Sequence, residues 1–241
     1  MHDWLTPQWP APARVKTCVT TRSGGVSAAP FDSCNLGDHV GDEPQAVLKN
    51  RQRLLSLLGC KPAWLRQVHG IDVVEAQPDR VLEADASWTA KPGVACAAMT
   101  ADCLPVLFCD RAGTRVAAAH AGWRGLAAGV LEATLDTLAL PEDQVLVWLG
   151  PAIGPQAFEV GAEVREAFVA QHAQAAVAFQ PSQNSGKFIA DIYQLARIRL
   201  AARGIDAVYG GDFCTFNDPR FYSYRRSSRT GRFASLVWLQ D

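Results

Sequence analysis

The stretch VACAAMTADCLPVLFCDRAGTRVAAAHAGWRG (residues 94–125) carries the strongest structural signal in the chain. It contains three short apolar runs, at residues 94–99, 104–109 and 115–120, separated by residues that favour turns. Short continuous apolar runs are typical of strands whose two faces are both buried. The stretch therefore predicts the centre of a buried sheet. Residues 126–138, which follow it, have the apolar spacing of a helix.

The flanking sequence predicts further elements in mixed order. Strands are predicted at residues 15–21, 64–68, 72–76, 145–149 and 234–239, and helices at residues 44–58, 162–171 and 191–203. Strands and helices in this order indicate an α/β (α+β) fold with mixed, buried sheets. No linker rich in Pro, Gly and Ser divides the chain, so residues 1–241 are predicted to form one domain.

Composition and charge exclude some classes of protein. Lys and Arg total 23 against 24 for Asp and Glu, a net charge of -1, whereas binding to nucleic acid normally needs a basic excess. No apolar stretch reaches the roughly 20 residues of a membrane span, and residues 1–4 lack a signal-peptide pattern. The chain has seven cysteines, which is an odd number, and several of them lie in apolar runs. We therefore expect a reduced, cytoplasmic protein that binds neither nucleic acid nor membranes.

Three side chains lie where predicted strands meet turns, which is where scaffolds commonly present reactive groups. They are His69, Cys103 and His120. Two imidazoles and one thiolate form a three-ligand set for zinc, and a catalytic zinc keeps its fourth position open. Each residue alone also has an ordinary structural interpretation. The cysteine could be a small, buried hydrophobic residue, and each histidine could simply be hydrogen-bonded at the end of a strand.

Six ordered motifs surround these residues. They are RQVHG (66–70), TADCLPV (100–106), AHAGWRG (119–125), GPAIGP (150–155), FEVG (158–161) and FYSYRR (221–226). Together with NLGDHVGD (35–42) they resemble the YfiH/YlmD family, whose members have been labelled laccase-domain or polyphenol oxidases and later purine nucleoside phosphorylases. The similarity extends over residues 19–238. The tail after FYSYRR departs from it, because relatives often carry Asp-Gly after the arginine pair and this chain has SSRTGR.

The resemblance implies a layered α/β/β/α fold, shared distantly with the deamidase domain of a bacterial cytotoxic necrotizing factor. It implies zinc on His69, Cys103 and His120, which would be catalytic together with Arg51, the match to the family's active-site arginine. The implied reactions are phosphorolysis of adenosine, inosine, guanosine and S-methyl-5'-thioadenosine, and deamination of adenosine. Purine nucleosides and phosphate are thus the expected partners, and a monomer is expected.

The chemistry of these reactions suggests roles for further residues. A zinc ion can bring the pKa of a bound water to about 7, which suits attack on the purine C6 in deamination. Phosphorolysis needs a cation to hold phosphate, and Arg51 and Arg66 are the predicted contacts because a guanidinium grips phosphate with two parallel hydrogen bonds. Asn35, in the irregular segment of residues 22–42, is predicted to line the pocket. Three roles are open for Asp102: to orient a ligand, to carry a proton or to cap local backbone.

Three alternatives compete with this interpretation. A multicopper oxidase is disfavoured because the chain has only five histidines, too few for a trinuclear centre beside a blue-copper site, although copper can bind adventitiously at the zinc site. A metal-free cysteine hydrolase would use Cys103 as nucleophile and His120 or His69 as base. A non-catalytic zinc-binding protein would close the site with a fourth ligand, for which Cys109 and Cys214 are the open choices.

Overall fold

Two β-sheets packed against each other form the centre of the molecule in the computed structural model, which describes residues 3–241. The strands are β1 (Val15–Val19), β2 (Lys61–Ala63), β3 (Leu65–Arg66), β4 (Val73–Glu75), β5 (Leu82–Glu83), β6 (Ala86–Thr89), β7 (Val94–Thr100), β8 (Leu104–Asp110), β9 (Val116–Ala121), β10 (Val145–Leu149), β11 (Glu159–Gly161), β12 (Phe179–Pro181), β13 (Lys187–Ala190), β14 (Val208–Gly210) and β15 (Phe233–Leu239). The α-helices are α1 (Pro44–Leu58), α2 (Trp123–Ala128), α3 (Val130–Leu138), α4 (Ala162–Gln171) and α5 (Ile192–Ala202).

Both large sheets are mixed. One has the order β1-β15-β7-β2, and the other has the order β14-β10-β8-β9-β6-β4. Most neighbours are antiparallel, but β2 is parallel to β7, β4 to β6 and β14 to β10. Two small sheets, β11-β13-β12 and β3-β5, complete the set. The three long central strands are those that the apolar runs of residues 94–120 predict.

The hydrophobic core has three layers, which explains the order of the elements. Between the two large sheets, side chains such as Leu107 pack against partners such as Val237. The other face of the six-stranded sheet packs on α3 and α5, as at Leu131. The other face of the four-stranded sheet packs on α1 through Leu54. The layers therefore run helix, sheet, sheet, helix, and the predicted mixed α/β architecture with α/β/β/α layering is confirmed.

The alternation of side chains along strand β9 determines which face of the sheet His120 lies on. Val116 and Ala118 belong to the layer between the sheets, while Ala117 and Ala119 belong to the layer under the helices. Because successive side chains point to opposite faces of a sheet, His120 falls on the same face as Val116 and Ala118. The small alanines also let the neighbouring sheet and α3 approach closely.

Three predicted elements are wrong in their bounds, and one of them is the strand predicted at residues 15–21, which ends at Val19. The helix predicted at residues 126–138 is two helices, α2 and α3, because Gly129 between them has φ +111°, a conformation that glycine adopts without a steric penalty. The strand predicted at residues 64–68 stops at Arg66, because the N–H groups of the residues that follow donate to a buried carboxylate instead of a neighbouring strand.

Several short elements escape prediction, among them β6 and the three strands β11, β12 and β13. The helices α1, α4 and α5 lie within one residue of their predicted bounds. Helix α1 ends where expected, because Gly59 takes the left-handed conformation at φ +67°. Within residues 3–241, no helix is both long enough and apolar enough to cross a membrane.

Candidate metal centre and active-site cavity

The fold brings His69, Cys103 and His120 together, as the sequence predicts. His69 lies in the turn after β3, Cys103 in the loop between β7 and β8, and His120 near the end of β9. One ligand atom from each lies within 4.8 Å of the other two, and the Sγ of Cys103 is 3.8 Å from the Nε2 of His69. The imidazole rings of the two histidines meet edge to face, with centroids 4.7 Å apart.

The donor set and its spacing fit a zinc ion. Zn–N bonds of about 2.0–2.1 Å and Zn–S bonds of about 2.3 Å place neighbouring nitrogen and sulfur ligands roughly 3.6 Å apart in a tetrahedral site. The separation between Cys103 and His69 is close to that value. Among residues 3–241 these three form the only such group of His, Cys and carboxylate side chains, so a fourth position would remain for another ligand. That is the arrangement of a catalytic zinc site.

A buried carboxylate, Asp85, organises two of the three ligands. Its Oδ1 lies 2.7 Å from the Nδ1 of His120, so an N–H there donates to the carboxylate and the Nε2 lone pair is left for a metal. The same Oδ1 accepts from the backbone N–H of His69 at 2.9 Å, and Oδ2 accepts from those of Val68 and Gly70. Asp85 is 1% exposed and directly precedes β6. It therefore holds one ligand by its ring and another by its backbone.

The backbone at the site is strained on both sides. His69 has φ +61° and Asp102, next to Cys103, has φ +94°. Non-glycine residues rarely take such angles, and those that do concentrate at functional sites, where the surrounding structure holds them in place. For His69 the restraint is the set of hydrogen bonds to Asp85.

Asp102 acts as an anchor between loops. Its Oδ1 accepts a hydrogen bond from Thr215 Oγ1 at 2.6 Å, and its Oδ2 accepts one from the backbone N–H of Arg225 at 2.6 Å. Its backbone carbonyl accepts from the N–H of Ile153. Of the three roles considered for Asp102, the contacts favour the one that fixes backbone, because both carboxylate oxygens accept hydrogen bonds from residues 215 and 225.

The pKa of the Cys103 thiol is shifted toward the thiolate, the form that both metal binding and nucleophilic chemistry need. Burial raises the pKa of the Cys103 thiol, but the charge of His120 and hydrogen bonds from His120 and His69 lower it overall, to about 6. The pKa of His120 is raised, because the Cys103 thiolate and the bond to Asp85 outweigh burial. By contrast, burial raises the pKa of Cys109 to about 12, which makes that thiol inert.

Two glycines allow the start of α2 to lie directly against the metal-ligand cluster and the turn at residues 69–70. A Cβ at Gly122 would lie 2.6 Å from the Cδ2 of His69 and 3.2 Å from the Sγ of Cys103. A Cβ at Gly125 would lie 2.7 Å from the carbonyl oxygen of Gly70. Real Cβ atoms do not approach that closely, so both positions need glycine. The motif that starts α2 is thus shaped by the neighbouring ligand loop.

A cavity of about 470 Å³ lies over the cluster, within the size range of small-molecule sites. Apolar and aromatic side chains form one part of its wall: Met99, Trp123, Ile153, Phe158, Ile192 and Tyr224. The polar part contains three arginines, Arg124, Arg225 and Arg232, together with His39, Gln67, Thr100 and Asp102. Asp85 and Arg232 are absent from the residues singled out by sequence, and only the arginine-rich character of the C-terminal loop hinted at the second.

The remaining predicted site residues lie elsewhere. Arg51 packs over the ring of Trp64, donates to the carbonyl of Leu36 at 2.9 Å and pairs with Asp38. Arg66 is 74% exposed and pairs with Glu83 at 3.4 Å. Neither guanidinium is in the cavity wall.

Asn35 is fully buried, and its side-chain amide forms hydrogen bonds with backbone groups and with a carboxylate. Its Oδ1 accepts from the N–H groups of Gly37 and Arg232, and its Nδ2 donates to Asp42. Cys109 is buried inside β8, and the Sγ of Cys214 accepts from the N–H of Gly154, so neither joins the cluster.

The fold and the site together define the class of the protein as a mixed α/β chain with a His–Cys–His cluster that could hold a metal ion in an open cavity. Residues 16–240 match the family model described as multi-copper polyphenol oxidoreductase laccase. The chain belongs to the YfiH/YlmD family within that description.

Known relatives extend over the whole chain. It is 75% identical, over 100% of both chains, to a protein of Pseudomonas aeruginosa named purine nucleoside phosphorylase. It is 57% identical to the Escherichia coli purine nucleoside phosphorylase YfiH, over 99% of this chain and 100% of that one. A crystal structure of a Neisseria meningitidis protein superposes with a TM-score of 0.97 at 52% identity, covering 99% of this chain and 100% of the other. The crystal structure of YlmD from Geobacillus stearothermophilus gives 0.91 at 29% identity, covering 99% and 96%.

Proposed function

We propose that this protein is a zinc-dependent purine nucleoside phosphorylase that acts on adenosine, inosine, guanosine and S-methyl-5'-thioadenosine and also deaminates adenosine. The observation that carries the proposal is the His69–Cys103–His120 cluster, which opens into a cavity walled by aromatic side chains and arginines. Relatives as similar as 75% identical are named for phosphorolysis of purine nucleosides. The proposal includes a monomeric, cytoplasmic enzyme, as the sequence predicts.

Phosphorolysis has two requirements that the cavity meets in different parts. A phosphate oxygen forms a new bond to the anomeric carbon of the ribose while the bond from that carbon to the purine nitrogen breaks, and the base leaves with the electron pair and takes up a proton. The arginines of the wall supply positive charge for the phosphate. The flat faces of Trp123, Phe158 and Tyr224 offer apolar surface to a purine ring.

The metal that we propose is zinc, held by the Nε2 atoms of His69 and His120 and the Sγ of Cys103. When bound, zinc would supply Lewis-acid polarisation and a water of lowered pKa, which is the chemistry that deamination needs. The family description names copper. We favour zinc because residues 3–241 contain one cluster with two histidines, whereas a multicopper centre needs many more imidazoles.

A second candidate function follows from one specific observation. Asp85, His120 and Cys103 form a chain in which a carboxylate orients an imidazole and the imidazole bonds to a thiol of lowered pKa. That is the pattern of a cysteine hydrolase, with Cys103 as nucleophile and His120 as base. Such an enzyme needs no metal.

Metal dependence and product analysis separate the two functions. We would measure zinc content by mass spectrometry and the release of free base from adenosine and inosine in phosphate buffer, for wild type, Cys103→Ser and the control Cys214→Ser. Cys214 is a suitable control because it is also partly exposed but lies outside the cluster.

The proposed function predicts about one zinc per chain, reversible loss of phosphate-dependent base release on chelation, and loss of both zinc and turnover in Cys103→Ser only. Activity that survives exhaustive chelation but not alkylation of Cys103 would establish the hydrolase. Zinc without turnover of any purine nucleoside would establish a binding protein.

A further inference from the structure

One arginine of the cavity wall differs from the others in its partners. Arg232 precedes β15 and is partly buried, and its charge interacts with Cys103 and Asp102 across the cavity. Its Nη1 donates to the carbonyls of Thr230 and Gly231, at 3.2 and 3.0 Å. No carboxylate in the described part of the chain forms an ion pair with it, and its Nε and Nη2 have no hydrogen-bond partner there.

Of the two neighbouring arginines, one is already hydrogen-bonded and the other is exposed to solvent. Arg225 donates through Nη2 to the carbonyl of Glu159 at 2.9 Å, and Arg124 is exposed and lies over the ring of Trp123. Arg232 is only partly exposed, and burial lowers the pKa of its guanidinium. A partly desolvated cation with two free donors on adjacent nitrogens is stabilised by an anion that accepts both hydrogen bonds.

The backbone of Arg232 is held rigidly from below. The Oδ1 of Asn35 accepts from its N–H at 2.8 Å, and its carbonyl accepts from the N–H of Leu36 at 3.0 Å. Its aliphatic stem lies over Gly37, where a Cβ would come within 2.8 Å of the Arg232 Cγ. The loop of residues 35–37 therefore fixes the stem, and the guanidinium is pre-organised before any ligand arrives.

We propose that Arg232 binds inorganic phosphate in the cavity through its Nε and Nη2, with Gly37 as the positioning residue that leaves room for its stem. This inference rests on the proposed function, because it assigns the phosphate subsite of that reaction. It places the phosphate in the same cavity as the His–Cys–His cluster. It also gives Asn35 a role different from substrate contact, since its amide anchors the backbone of the phosphate-binding residue.

The first test compares Arg232→Gln with Arg229→Gln on the zinc-loaded protein. Arg229 lies in the same loop but packs over Phe31 and is outside the cavity wall, so it is the matched control. We expect the KM for phosphate to rise at least about tenfold in Arg232→Gln, because a charged, bidentate contact is lost. The KM for inosine and the zinc content should stay within about twofold of wild type, and Arg229→Gln should match wild type.

The second test retains the charge of Arg232 but displaces its guanidinium. Gly37→Ala adds a methyl group against the stem of Arg232, and we expect it to raise the KM for phosphate severalfold with a smaller change in kcat and unchanged zinc content. A general loss of structure would lower kcat and zinc content together instead. If Gly37→Ala and Arg232→Gln both leave the KM for phosphate unchanged while wild type is active, the assignment is overturned and the proposed function stands.

Direct binding separates failure of the subsite from failure of the reaction. We would titrate inorganic phosphate into the zinc-loaded proteins by calorimetry, without nucleoside. Phosphate binding that is lost in Arg232→Gln supports the subsite even if wild type shows no phosphorolysis, in which case the proposed function alone fails. A site that binds adenosine 5'-monophosphate through Arg232 but not free phosphate would overturn the assignment.

Discussion

Replacement of Asp85 by asparagine removes a charge that no other group can replace. The carboxylate accepts four hydrogen bonds, two at each oxygen: Oδ1 from His69 and His120, and Oδ2 from Val68 and Gly70. An asparagine has one acceptor oxygen, so in either orientation its NH₂ group faces two donors.

Two hydrogen bonds to a charged group are then lost, at about 1.5 kcal/mol or more each. We therefore expect Asp85→Asn to lower the free energy of unfolding by about 3 kcal/mol. In a domain of this size that corresponds to a fall in Tm of roughly 6–12 °C. The affinity for zinc should fall about 10- to 100-fold, because a carboxylate that orients a ligating imidazole contributes to that extent.

The assay is thermal unfolding followed by circular dichroism on the metal-free protein, with zinc affinity measured by competition against a chromophoric chelator. Glu83→Gln makes the same chemical change two residues away on an exposed side chain, and it should leave both quantities near wild type. If Asp85→Asn unfolds within about 2 °C of wild type and binds zinc within about twofold, our reasoning about Asp85 is wrong.

The pH dependence of this effect follows from the pKa of Asp85. Burial raises that pKa, but the hydrogen bond and charge of His120 and the N–H groups of Gly70 and Val68 lower it overall. A carboxyl whose pKa is depressed in the folded state stabilises the protein above its unfolded pKa of about 3.9 and loses that contribution as the pH falls through the folded value. The difference in stability between wild type and Asp85→Asn should thus be complete at pH 7 and shrink below about pH 4.

Three further predictions concern neighbouring groups. In the metal-free protein, iodoacetamide should alkylate Cys103 with a half-maximal rate near pH 6, because burial raises the pKa of the thiol less than His120 and His69 together lower it. Bound zinc should protect Cys103 from alkylation. Mass spectrometry after digestion measures the alkylated fraction with and without zinc. Gly122→Ala should bind zinc at least about tenfold more weakly with little change in secondary structure, since its Cβ would meet His69 at 2.6 Å, and retained zinc affinity would contradict this. Arg66→Ala should leave the KM for phosphate within about twofold of wild type, because Arg66 is 74% exposed and outside the cavity wall. A larger rise in that KM would show that Arg66 does contact phosphate.

The apolar pattern is sufficient to predict a buried, mixed sheet, as strand β8 shows, whereas the α/β/β/α layering is implied by the family resemblance. Residues 104–109 of β8 are apolar without alternation, and both faces of the strand are in fact buried, one against the other sheet and one against the helices. The short strands β11 to β13 escape prediction because each has only three or four residues, and β11 pairs with β13, which is distant in the sequence. Local pattern contains no signal of that kind.

The positions of the metal ligands can also be predicted from local sequence pattern, whereas those of Asp85 and Arg232 cannot. His69 and His120 end apolar runs, so their positions at strand ends can be inferred locally. Asp85 lies in a polar stretch, and its burial results from pairing of β6 with β9, which brings it to His120. Arg232 is likewise placed by contacts with the loop of residues 35–37, far away in the sequence.

The scatter of the three ligands over separate segments has a consequence for how metal and fold depend on each other. In a zinc finger, ligands that are close in sequence let the ion induce a small fold. Here His69, Cys103 and His120 meet only after β6, β8 and β9 have paired, so an unfolded chain offers the ion no comparable site. Such an ion stabilises the native state by mass action: at a free zinc concentration of 100 times its Kd, the gain is about 2.7 kcal/mol. Zinc release on heating would therefore report the separation of the central strands.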